Sequence, residues 1–188
     1  MYPEDVLRAI NEVRGNAIVV PTMTAVPAWR TIAPDATSVD CVGFMGGASS
    51  LGLGLALAQP GRRVIVLDGD GSLLMQLGSL ATVAGAAPPN FTHMLFSNGV
   101  YQTSGSQEIP GSGAVNFAGM AEAAGYTFAT RIENLEELHI RLPELLSSQG
   151  PILAELAVEE AQLTPMTAPG GDPLHVQVSN LRAALTKK

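Results

Sequence analysis

Two apolar runs, each ending in a small polar cluster, constrain this chain more than any other feature. Arg63-Val64-Ile65-Val66-Leu67 runs into Asp68-Gly69-Asp70-Gly71-Ser72, and Phe91 to Phe96 runs into Ser97-Asn98-Gly99. Both runs have the length and the β-branched content of a fully buried strand. Between them Leu73, Leu74, Leu77, Leu80 and Val83 recur at helical spacing until Pro88-Pro89-Asn90 ends the pattern. The spacing predicts a helix over this stretch and thus one strand–helix–strand unit. Such a unit joins parallel strands by a right-handed crossover.

The rest of the chain repeats the alternation. Pro3 followed by Val6, Leu7, Ile10 and Val13 predicts a first helix closed at Gly15, and Ala17 to Val20 a strand ending at Pro21. Thr22 to Arg30 suggests a short helix broken at Pro27, and Ser38 to Val42 a further strand. Gly46 to Gln59 reads as a buried, tightly packed helix stopped by Pro60. Tyr101 to Gly113 reads as a loop, of a length that is often functional. A helix at Phe117 to Ala124, a strand at Tyr126 to Thr130, a helix at Glu133 to Ser147 and a strand at Ile152 to Val158 complete the pattern. The fold class is α/β: a doubly wound, mostly parallel sheet flanked by helices. Residues 1–160 form the domain, and residues 161–188 a Pro/Gly-rich C-terminal tail with a short helix to Leu185.

A chain of 188 residues is ample for one core, and 46% apolar against 14% charged residues rules out a disordered chain. The balance of 10 Lys plus Arg against 17 Asp plus Glu, with no basic run, argues against nucleic acid and anionic membranes as partners. The acidic start is not a signal peptide, and Leu51 to Ala58 is too short to span a bilayer, so a cytoplasmic protein is expected. A single cysteine, Cys41, fits a reducing compartment. High apolar content for one domain points to a surface covered by a partner.

In doubly wound sheets, ligands sit beyond the carboxyl ends of the strands. Asp70 and Asn98 each follow such an end, and neighbouring strands lie about 4.8 Å apart, so their side chains can converge on one crevice. Two hard oxygen ligands, one charged, with a backbone carbonyl after Gly99 as a third, suit Mg²⁺ held jointly with phosphate oxygens. Gly69 and Gly71 would let the backbone approach a bulky anion, with the N–H groups of the following helix pointing at the same place. Asp-Gly and Asn-Gly are also ordinary turn dipeptides, and that reading stays open on the residues alone. A dinucleotide fingerprint does not fit, because Leu74 stands at its third glycine position, and no Walker lysine is present. A phosphoacceptor aspartate lacks a supporting lysine at a later strand end.

Gly69-Asp70-Gly71-Ser72 together with Asn98 resembles the cofactor motif of the pyruvate-decarboxylase-like superfamily of thiamine-diphosphate enzymes. The run from Val42-Gly43-Phe44-Met45-Gly46-Gly47 to Gln59-Pro60, and the segments Asp68 to Met75 and Asn98-Gly99-Val100-Tyr101, are similar to sulfopyruvate and phosphonopyruvate decarboxylases. The resemblance covers roughly residues 1–160 and implies the diphosphate-binding, PP-type domain. It implies thiamine diphosphate and Mg²⁺ as cofactors, with Asp70, Asn98 and the Val100 carbonyl as metal ligands. It further implies that Gly71 and Ser72 contact the diphosphate, that the Gly43 carbonyl accepts from the aminopyrimidine, and that Met45 wedges the cofactor into its bent shape. Gly46, Gly69 and Tyr101 would lie beside the cofactor. Met45 would otherwise read as ordinary core packing.

By the same resemblance the activity is decarboxylation of a small 2-oxo acid, the cofactor serving as electron sink. The activating glutamate of the family belongs to the pyrimidine-binding (Pyr) domain, for which this chain has no room. No certain catalytic residue is therefore expected here, and the site is expected to be shared with a separate Pyr-domain (alpha) subunit in a hetero-oligomer holding at least two copies of each chain. Two departures bear on the substrate. Relatives often carry Ser-Met-Gly-His where this chain has Phe44-Met45-Gly46-Gly47, and their Thr-Gly-Gly-Gln appears as Ser104-Gly105-Ser106-Gln107. The Val100–Gly113 loop also lacks any Lys or Arg to meet a sulfonate or phosphonate. Other thiamine-diphosphate chemistry, as a carboligase or oxidoreductase subunit, and a non-catalytic cofactor-binding subunit stay open.

Overall fold

Val64 and Val66 pack into one apolar cluster while Ile65 and Leu67, between them in sequence, pack into another. Side chains alternate across a strand, so an uninterrupted apolar run means a strand buried on both faces. The computed structural model describes residues 1–34, 37–160 and 172–186. In chain order the elements are α1 (Pro3–Val13), β1 (Ile18–Pro21), α2 (Ala25–Ile32), α3 (Ala48–Ala58), β2 (Val64–Gly69), α4 (Asp70–Met75), α5 (Ser79–Ala86) and β3 (Phe91–Ser97). A small hairpin of β4 (Val100–Tyr101) and β5 (Gln107–Glu108) follows, then α6 (Phe117–Ala124), β6 (Phe128–Ile132), α7 (Leu135–Ser147), β7 (Ile152–Ala157) and α8 (Leu174–Thr186).

The main sheet has five strands in the order β1-β2-β3-β7-β6, every pair parallel. One face carries α3, α5 and α6, with Leu53, Ala56, Leu80, Val83, Phe117 and Ala121 in its core. The opposite face carries α1, α2 and α7 through Leu7, Ile10, Trp29, Leu138 and Leu142. This is the doubly wound arrangement expected from the alternation. Asn116 and Asn134 cap α6 and α7, accepting from the amides of Gly119 at 2.8 Å and Glu137 at 2.9 Å. Helix α8 returns to the domain: Leu181 joins the first cluster and Gln177 Oε1 accepts the Asp40 amide at 3.0 Å. The first part of the expected tail, residues 161–171, lies outside the described residues.

Several elements differ from expectation. The helix predicted from Leu73 to Val83 is two helices, with a turn at residues 76–78 that re-aims α5 so that Ser79 meets Ser49 of α3, hydroxyl to hydroxyl, at 2.9 Å. Helix α2 is not broken at Pro27, because Pro27 is its third residue, where no intrahelical N–H bond is lost. Residues 38–42 run beside β1 through only two isolated bridges, Val19 to Ser38 and Thr22 to Cys41. Asp40 spends its polar groups elsewhere, its carboxylate on Arg30 and its amide on Gln177. One side of α3 faces outward, with Gly54, Leu57 and Ala58 exposed, so the helix is not wholly buried. The segment read as a loop after Tyr101 contains the hairpin strand β5 and a 3₁₀ turn at Gln102–Ser104.

Candidate functional site

Strand β2 ends at Gly69 and β3 at Ser97, and the two pair in register from Val64–Phe91 to Gly69–Phe96. Asp70 and Asn98 therefore leave adjacent strands at nearly the same height. They are tied together: the Gly99 amide donates to Asp70 Oδ2 at 2.7 Å, and the Gly71 amide donates to Asp70 Oδ1 at 2.7 Å. Asn98 Oδ1 accepts the Val100 amide at 3.1 Å, and its Nδ2 donates to Gln102 Oε1 at 3.2 Å. The chain can turn this tightly after Asn98 because Gly99 adopts φ +78°, a left-handed conformation that side chains disfavour. Gly99 also accepts from the Ile109 amide, on the β5 side, at 3.0 Å. In an antiparallel ladder successive residues alternate sides, so Val100 turns its own polar groups away from β5.

A cleft open to solvent lies over these strand ends. Its walls include Met45, Asp68, Gly69, Asp70, Gly71, Ser72, Asn98, Val100 and Tyr101. Seven of the nine residues expected to touch the cofactor thus share one cavity with Asp70, the remaining metal candidate. The other two stand behind or beside it. Gly43 sits exposed in the segment leading to Met45, with φ +98°. Gly46 is buried, its amide donating to Ser72 Oγ at 2.9 Å. A Cβ at Gly69 would meet nothing within 4 Å, so that strand end is open to a bulky ligand. At Gly71 the corresponding space is taken by the Tyr101 ring, 2.6 Å from where a Cβ would stand. Gly71 therefore lets Tyr101 close on the loop.

The Asp70 carboxyl is 2% exposed, and burial pushes its pKa above the ordinary value even though the amides of Gly99, Gly71 and Asn98 and the Ser97 hydroxyl favour the charged form. A buried carboxylate held in this state is set to gain from a cation. Asp68, also buried, gives Oδ1 to the Gly69 amide at 3.0 Å and Oδ2 to His93 Nε2 at 3.2 Å.

Sequence reasoning missed one wall. Thr22, Met23 and Thr24 line the cleft from the carboxyl end of β1, with Glu4 and Leu7 of α1 beside them. The strand-end rule applied to β1 would have found the first three; nothing in the pattern of α1 marks Glu4. Phe44 is 61% exposed, and its ring lies where a side chain at position 47 would start, 2.0 Å from the Cβ a non-glycine would carry. Phe44 and Gly47 are thus a matched pair.

Residues 22–156 match the family described as thiamine pyrophosphate enzyme, C-terminal TPP binding domain. The chain is 42% identical over 135 residues to a phosphonopyruvate decarboxylase of Streptomyces viridochromogenes, covering 72% of this chain and 34% of that protein. It spans about a third of the length of the phosphonopyruvate decarboxylases it matches. Two proteins called sulfopyruvate decarboxylase subunit beta are similar as well. That of Methanothermobacter thermautotrophicus is 41% identical over 63% of this chain and 60% of its own, and that of Methanocaldococcus jannaschii 33% identical over 79% and 80%. A solved structure described as a thiamin diphosphate-dependent enzyme from Mycobacterium smegmatis shares the fold, with a TM-score of 0.70 and 20% identity over 85% of this chain and 32% of that one. The family match covers well over half of the residues, including both strand ends that form the cleft, and the chain belongs to the thiamine pyrophosphate enzymes as a C-terminal TPP-binding domain.

Proposed function

We propose that the chain is the metal- and diphosphate-binding subunit of a two-subunit thiamine-diphosphate-dependent 2-oxo acid decarboxylase. The observation that carries this reading is the Gly99 amide on Asp70 Oδ2, which brings the two strand ends to one cleft. The donor set fits the cofactor's metal: one carboxylate, one amide oxygen and a strand-end carbonyl are hard oxygens, too few for an all-protein calcium cage and suited to Mg²⁺ shared with phosphate. Asp70, Asn98 and the Val100 carbonyl would hold the ion. The open face at Gly69, the Gly71 backbone and Ser72 would receive the diphosphate, and Met45, on the cleft wall, would support the cofactor's rings. When bound, thiamine diphosphate supplies an electron sink for the carbanion left by loss of CO₂. This chain's residues bind and orient the cofactor.

The activating acid is assigned to a Pyr-domain partner, in a hetero-oligomer. Support comes from the two similar proteins named as beta subunits, one of which this chain covers to 80% of its length. Among the described lining residues there is no Lys, Arg or His, while Glu4, Asp68 and Asp70 are acidic. A sulfonate or phosphonate substrate would therefore take its cation from the partner. The same acidic lining favours, as a second reading, a 2-oxo acid with no second anionic group. Mixing the chain with a Pyr-domain subunit and measuring CO₂ release from sulfopyruvate, phosphonopyruvate and pyruvate tests both. Release from any of them only with both subunits present fits the proposal; cofactor binding with no release from any 2-oxo acid contradicts it.

A further inference from the structure

Two carboxylates, Asp68 and Asp70, flank Gly69 at the mouth of the cleft, and only Asp70 reaches across to the β3 end. Asp68 belongs to the cleft wall, yet its side chain is fully buried. In the sheet Asp68 stands opposite Leu95, and His93 lies two residues before Leu95 on the same face of β3, a diagonal neighbour within reach. His93 is itself fully buried, and its Nε2 meets Asp68 Oδ2 at 3.2 Å. Among the described residues its Nδ1 has no hydrogen-bond partner and Asp68 is the one polar group that orients the ring; an edge contact with Phe91, ring centroids 6.0 Å apart, holds it from the side. Facing a carboxylate oxygen, which can only accept, Nε2 is the nitrogen that donates.

We propose that His93 is a positioning residue that clamps the Asp68 carboxylate behind the strand end, leaving Asp70 as the one carboxylate of the β2 end that faces the metal–diphosphate. The inference rests on the functional reading above. Its reason is charge. A divalent ion with one carboxylate keeps a net positive charge for the diphosphate, whereas a second carboxylate cancels it and repels the phosphates. The described lining has no cation to offset that loss. Between the two carboxylates Gly69 carries no side chain, and a Cβ there would meet nothing within 4 Å, so space is open beside Asp68 on the cleft wall. Without His93, the Gly69 amide is the remaining partner of a buried Asp68 carboxylate among the described residues, and turning toward the open space of the cleft relieves that burial.

Binding of Mn²⁺ to the 188-residue chain, followed by electron paramagnetic resonance with and without inorganic pyrophosphate, tests this. The metal–diphosphate half of the site lies within this chain, so no partner is needed. His93→Leu is expected to weaken Mn²⁺–pyrophosphate binding by about tenfold while Mn²⁺ alone binds as well as before or better. His93→Leu with Asp68→Asn is expected to recover the wild-type preference, because the competing charge is gone while an Asn oxygen still accepts the Gly69 amide. Unchanged Mn²⁺–pyrophosphate affinity in His93→Leu, or a double variant as weak as the single one, overturns the proposal. If His93→Leu does not fold by circular dichroism, Asp68→Asn alone decides: affinity within about twofold of wild type supports the clamp, and a tenfold loss overturns it. Absence of Mn²⁺–pyrophosphate binding in the wild type would instead overturn the metal-site reading itself, and this inference with it.

Discussion

Asp70 and Gly99 meet across the ends of two neighbouring strands, carboxylate to amide, at 2.7 Å. The contact depends on the left-handed turn at Gly99, and a Cβ there would lie 2.8 Å from Ser112 Oγ. Gly99→Ala is expected to cost roughly 1–2 kcal/mol of stability in urea denaturation, from backbone strain. It should also weaken Mg²⁺-dependent cofactor binding, because Asn98 and Asp70 lose their common tie.

The buried state of Asp70 sets a pH dependence. Burial raises its folded pKa above the unfolded value, so the folded chain keeps this proton when the unfolded chain has already lost it. Stability from this group is therefore full below the ordinary carboxylate range and declines as pH rises from that range to the raised folded value. Urea denaturation of metal-free wild type and Asp70→Ala across this window is expected to show the wild type losing stability relative to the variant. A wild type that gains on the variant as pH rises would contradict the assignment.

Helix α3 gives a paired comparison of two glycines in one element. A Cβ at Gly52 would stand 2.3 Å from Val66 Cγ2 and 3.1 Å from the Phe91 ring, so Gly52→Ala is expected to destabilise by about 1–3 kcal/mol through overpacking. At Gly54 a Cβ would meet nothing within 4 Å, and Gly54→Ala is expected to stabilise by about 0.5–1 kcal/mol through helix propensity. Thermal unfolding of the two variants should move in opposite directions.

The parts of the fold legible in the sequence are those whose residues answer to one cause. Val64 to Leu67 and Phe91 to Phe96 are apolar on both sides because both faces of the sheet are covered, and Asp70 and Asn98 stand out because each ends such a run. The turn between α4 and α5 was not legible, since Leu73, Leu77 and Leu80 keep helical spacing straight across it while the chain bends to bring Ser79 to Ser49. The β4–β5 hairpin was hidden because two-residue strands carry no periodicity and are held by tertiary bonds such as Ile109 amide to Gly99 carbonyl. Met23 follows the carboxyl end of β1 and was open to the strand-end rule, whereas Glu4 reaches the cleft only because the first turn of α1 starts beside it, a placement that no local pattern encodes. The pairing of Phe44 with Gly47 likewise required three dimensions: the exposed ring explains how the chain does without a side chain at 47.

On the proposed function, Asp70 holds the divalent ion that tethers the cofactor's diphosphate. Calorimetric titration of thiamine diphosphate into wild type and Asp70→Ala, each with the Pyr-domain partner and with either Mg²⁺ or a chelator present, measures it directly. Mg²⁺-dependent binding is expected in the wild type, and in the variant a loss of about 100-fold or more in affinity with the circular dichroism of the fold unchanged. Equal affinity in both proteins, or wild-type binding indifferent to the chelator, would contradict it.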